Sequence, residues 1–127
     1  MNPCPFSFCW GGWVIAKSAA AGVPWKVGVS PHPSTGIEAR VFGRDETDMM
    51  DKVNMPFLLM PAGNDPPSLK PGHPTVEKLE KLGGQSIEFP DMVHGWTTRS
   101  DLTDSNTKCQ VEKALSLTLQ FLKKHLL

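Results

Sequence analysis

Pro5-Phe6-Ser7-Phe8-Cys9-Trp10-Gly11-Gly12-Trp13 is a short apolar run that stops at a cysteine and passes directly into two glycines and a helix-forming segment. The pattern predicts a strand, a sharp turn and a helix, with Cys9 at the apex. A side chain at the tip of such a turn stands clear of the sheet, and the N–H groups of the helix's first turn point toward any negative charge that forms beside it. Strand and helix approach closely only if the residues two before and two after the apex are small; here they are Ser7 and Gly11. The motif is therefore small-x-Cys-x-Gly, a nucleophile elbow with Ser7 where the first glycine usually stands. A cysteine before Gly-Gly also occurs in ordinary tight turns, so this stretch alone leaves both readings open.

The whole chain bounds what surrounds the elbow. At 127 residues it holds one domain, with room for one core. Lys plus Arg and Asp plus Glu number 13 each, and aromatic residues do not interleave with basic ones, which argues against nucleic acid or an anionic membrane as partner. The 12 prolines and 11 glycines fall between apolar runs and read as turns. Cys4, Cys9 and Cys109 show no CxxC or Cys/His ligand spacing, which predicts a reduced, cytoplasmic chain with no disulfide framework and no metal site. No run is long enough to span a membrane. A rival reading takes Phe6 to Ala21 as a secretory signal, since an apolar run precedes Ser18-Ala19-Ala20-Ala21; the lack of Lys or Arg before it argues against this.

Beyond the elbow, Gly12 to Ala21 is expected to be helical, with Gly22 and Pro24 as the stop. Lys26 to Ser30 reads as a strand ending in Pro31-His32-Pro33, and Glu38 to Lys52 as loop with a short helix from Glu46. Met55 to Met60 is continuously apolar, the mark of a strand covered on both faces. It runs into Pro61-Ala62-Gly63-Asn64-Asp65, which puts a carboxylate in a rigid loop at a strand's carboxyl end. Asp65 serves there either a site or the turn itself. A helix over Thr75 to Leu82, a strand over Gln85 to Phe89, and a loop carrying His94 follow. A long amphipathic helix over about Asn106 to Leu126, capped by Asp104 or Ser105, covers one face of the sheet.

Each turn residue is unremarkable alone, and order gives them meaning. A nucleophile, then an acid after a later strand, then a histidine after the last strand is the chain order of the α/β-hydrolase triad. Cys9, Asp65 and His94 supply it, each at a predicted strand's carboxyl end.

From Phe6 to the C-terminus the chain resembles the dienelactone hydrolase (carboxymethylenebutenolidase) family of the α/β-hydrolases. Phe8-Cys9-Trp10-Gly11-Gly12, Ala62-Gly63-Asn64-Asp65 and His94-Gly95-Trp96 carry the resemblance. It implies an α/β fold of about four mostly parallel strands with flanking helices, in a single domain over residues 1–127 that lacks the family's N-terminal strands. It also implies a Cys9-His94-Asp65 triad acting on a small ester or enol lactone, with no metal or organic cofactor. The Trp10 backbone N–H becomes an oxyanion donor, and Arg99 resembles an arginine the family uses near the substrate carboxylate. The elbow strand would lack a neighbour, leaving an apolar sheet edge open to self-association. The alternative is an inactive hydrolase-derived fragment that serves as an interaction module.

Overall fold

The computed structural model describes residues 3–127. Three short parallel strands, β1 (Gly28–Pro31), β2 (Phe57–Met60) and β3 (Gln85–Ser86), lie side by side in chain order. Gly28 pairs with Phe57, Pro31 with Met60, and Leu59 with Ser86. Helix α1 (Trp10–Ala20) precedes β1, and α2 (Ile37–Arg40) and α3 (Glu46–Asp51) lie between β1 and β2. A 3-10 turn (Pro67–Leu69) and α4 (Pro74–Lys81) join β2 to β3, and α5 (Trp96–Arg99) and α6 (Ser105–Leu126) complete the chain.

The elbow strand departs from expectation. It forms one isolated parallel bridge, Phe6 to Val29, and no ladder. Val29 N–H donates to the Pro5 carbonyl at 3.1 Å and Ser7 N–H to the Val29 carbonyl at 3.2 Å. The next bond on one side would need an N–H from Pro31 and on the other an N–H from Pro5. Proline has none, so the pairing stops after a single bridge. Pro61 acts in the same way on the β2–β3 pair: the ladder lapses there and resumes at an Ala62 to Phe89 bridge in the same register. The sheet thus has three strands and a bridged fourth segment at the edge beside β1.

Alternation along β2 sorts the core onto two faces. Phe57 and Leu59 pack with Ile15, Ala16 and Ala19 of α1, Met49 and Met50 of α3, and Leu79 of α4. Leu58 and Met60 pack on the other face with Val29, Phe89, Trp96 and the Ala114 and Phe121 stripe of α6. All four β2 side chains are fully buried. At about 1.5–3 kcal/mol for each large apolar side chain removed from water, this strand is the fold's principal hydrophobic anchor. The cap of α6 is Asp104, whose carboxylate accepts from Thr107 N–H at 2.8 Å. No helix among the described residues is long and apolar enough to cross a membrane.

Candidate active site

Cys9 occupies the N-cap position of α1 with φ 48° and ψ −119°. A non-glycine residue in that region costs on the order of 1–3 kcal/mol and persists only where its surroundings fix it. The Cys9 carbonyl accepts from both Gly12 N–H, at 3.0 Å, and Ser34 N–H, at 2.9 Å. A Cβ on Gly11 would overlap the Ser7 side chain, and one on Gly12 would lie 2.6 Å from Pro33 Cβ. Strand and helix are therefore as close as the small residues permit. Gly11 N–H is taken by the Phe8 carbonyl, while Trp10 N–H acts on the Cys9 sulfur.

The only other described non-glycine residue with positive φ is His32, at 36°. It sits just past β1 between two prolines, fully buried, with its N–H donating to the Met60 carbonyl at 2.9 Å. The two strained residues meet: Cys9 Sγ is 3.2 Å from His32 Nδ1, and His32 Nε2 is 2.5 Å from Thr97 Oγ1. Burial, then the neighbouring His94, lowers the His32 pKa to about 4, so its ring is neutral near pH 7. Burial raises the Cys9 thiol, with the Arg99 guanidinium pulling the other way. At rest the sulfur is a thiol beside a neutral imidazole.

Asp65 and His94 come from two loops locked together. Gly63 N–H donates to the Met92 carbonyl at 2.9 Å, His94 N–H donates to Asn64 Oδ1 at 2.7 Å, and a Cβ on Gly63 would overlap the Pro90 carbonyl oxygen. Asp65, only 7% exposed, accepts from Ala62 N–H through Oδ2 at 2.7 Å and faces His94 Nδ1 with Oδ1 at 2.6 Å. One carboxylate thus fixes both its own loop and the imidazole's orientation. His94 Nε2 faces Ser34 Oγ at 3.4 Å. Donor atoms of Cys9, His32 and His94 all lie within 4.8 Å of one another, at the carboxyl ends of the strands.

The match to the family model for the dienelactone hydrolase family spans residues 6–126. The chain belongs to the dienelactone hydrolase family. No curated protein and no solved structure matches it.

Within this member of the dienelactone hydrolase family, Arg99 lines a pocket of about 180 Å³ with His94, Gly95 and Trp96. A second pocket, about 250 Å³, is also lined by His94, with Ser34, Arg40 and Asp65. Cys9 itself opens on an apolar groove of about 460 Å³ with Phe8, Trp10 and Val14. Sequence reasoning placed His32 at a strand end without a role; only the fold shows it against the sulfur. It likewise missed Glu38, fully buried under α1, which accepts from Trp13 Nε1 at 2.8 Å, Lys17 Nζ at 2.6 Å and Arg44 Nε at 2.7 Å. The expectation of no metal site rests on local spacing, which does not address side chains that the fold brings together from three distant segments, as it does here for Cys9, His32 and His94.

Proposed function

We propose that this chain hydrolyses a small ester or enol lactone through Cys9, His94 and Asp65, by way of a thioester on Cys9. The supporting observation is the Asp65–His94 pair at 2.6 Å within reach of a sulfur that stands at the apex of a strained elbow. In this reading Cys9 turns from His32 toward His94 Nε2, which takes the thiol proton. The thiolate attacks the carbonyl carbon, and the oxygen's developing charge meets Trp10 N–H and the N-terminal end of α1. His94 returns the proton to the departing alkoxide or enolate, then activates a water that cleaves the thioester and regenerates the thiol. Asp65 holds the ring and stabilises the imidazolium. Arg99 pairs with a substrate carboxylate beside His94. The site needs no organic cofactor for these steps. The test is turnover of a small activated ester: it should vanish in Cys9→Ala, and turnover that survives removes Cys9 from the mechanism.

A second reading has its own observation. Trp10, at 58% exposed, with Phe6 and Val14 also exposed, forms an apolar face along the elbow edge. In that reading the chain is an inactive interaction module that associates through this edge. A monodisperse monomer by light scattering would count against it.

A further inference from the structure

We propose that Cys9, His32 and His94 form a three-ligand site for a borderline-soft divalent cation of the zinc class, held by the Cys9 sulfur and one nitrogen from each imidazole. These donor types are the ones zinc prefers, at about 2.3 Å to sulfur and about 2.0–2.1 Å to nitrogen. The three donor atoms already lie within 4.8 Å of one another, so they must draw closer around an ion to reach those lengths.

Each imidazole has an outer partner on one nitrogen, which leaves the other nitrogen to serve as the ligand. Asp65 Oδ1 engages His94 Nδ1, which leaves Nε2, now facing Ser34 Oγ at 3.4 Å, as the ligand atom; the metal takes the place of that long contact. Thr97 Oγ1 engages His32 Nε2, which turns Nδ1 onto Cys9 Sγ. Ligating histidines characteristically carry such an outer hydrogen bond on the second nitrogen, and here both do. The charges acting on the sulfur are the Arg99 guanidinium, which opposes a cation, and the Asp65 carboxylate, which favours one. Coordination exchanges the thiol proton for the metal and releases that proton to solvent. A fourth position stays open to water.

The bound ion would occupy the very sulfur and imidazole that the proposed hydrolysis uses, so metal and turnover exclude one another and a chelator restores activity. The site itself does not depend on the hydrolase reading, and its test does not require turnover.

The reduced 127-residue chain is titrated with Co²⁺ under anaerobic conditions and followed by absorption. One Co²⁺ per chain is expected, with thiolate-to-cobalt charge-transfer absorption that equimolar Zn²⁺ removes. The absorption should be absent in Cys9→Ser and unchanged in Cys4→Ser and Cys109→Ser. Affinity should fall at least 10-fold in His32→Asn, and about 10- to 100-fold in Thr97→Val, which keeps the shape of the site while removing the outer hydrogen bond. Charge-transfer absorption that is missing from the wild-type protein, persists in Cys9→Ser, or disappears in either surface-cysteine variant overturns the proposal. So does an unchanged affinity in both His32→Asn and Thr97→Val.

Discussion

The Cys9 sulfur lies 3.2 Å from His32 Nδ1, whereas the imidazole that Asp65 grips at 2.6 Å is that of His94. Two histidines therefore contend for one thiol, and their surroundings separate their tasks. His32 is buried, neutral and without a carboxylate partner, so it can hold a thiol but is poorly suited to carry a proton. His94 is half-buried and backed by Asp65, a carboxylate that in the proposed reaction would stabilise the charged ring.

That division gives the first prediction. His94→Ala should lower kcat/KM for an activated ester by on the order of 10³-fold or more, while His32→Asn should stay within about 10-fold of the parent. Steady-state kinetics on both variants checks it. The reverse ranking would make His32 the base.

Asp65→Asn should keep the loop fold but replace the acceptor facing His94 Nδ1 with a group unable to stabilise imidazolium. Turnover is expected to fall on the order of 10³- to 10⁴-fold with KM little changed. A loss confined to KM would place Asp65 in substrate binding.

The elbow's close approach is testable by stability. Gly11→Ala puts a Cβ into the Ser7 side chain and should destabilise by about 1–3 kcal/mol. Ser7→Gly in the same chain removes the obstructing atoms and should recover much of that loss. Urea midpoints of the two single variants and the double variant measure the coupling. Purely additive effects would mean that Ser7 is not what Gly11 avoids.

Glu38 supplies a pH signature away from the thiol. Hydrogen bonds from Arg44 above all, with Lys17 and Trp13, outweigh its burial and hold its carboxyl at about 2, below the ordinary 4.5. A depressed carboxyl contributes stability that is fully present above the unfolded value and lost as pH falls from about 4.5 through about 2. Glu38→Gln should be less stable at pH 7 by about 1–3 kcal/mol, with a shallower decline in that acid window. Denaturation midpoints against pH decide it, and parallel curves for the two proteins would refute the assignment.

Much of this architecture is visible in local pattern. The unbroken apolar run ending at Met60 marks the central strand, and Val111, Ala114, Leu115, Thr118, Phe121 and Leu122 mark α6 by spacing, although Leu115 faces outward. The order of Cys9, Asp65 and His94 is equally readable, because each follows an apolar or alternating run and a turn signal. What is hidden is hidden for physical reasons. α2 is a single turn of four residues, too short to show periodicity. The His32 contact depends on a positive φ between two prolines and on a partner 23 residues away. The shortness of the elbow pairing follows from Pro5 and Pro31 standing opposite carbonyls that need donors, which only the register discloses. Glu38 looks like a surface charge until Trp13, Lys17 and Arg44 close over it.

The most direct test of the account is the bond it requires to form at sulfur. Protein mixed briefly with an activated ester and quenched in acid should gain the mass of one acyl group, located by peptide mapping at Cys9, and Cys9→Ala should gain none. Acylation confined to the exposed Cys4 or Cys109, or ester turnover undiminished in Cys9→Ala, would contradict it.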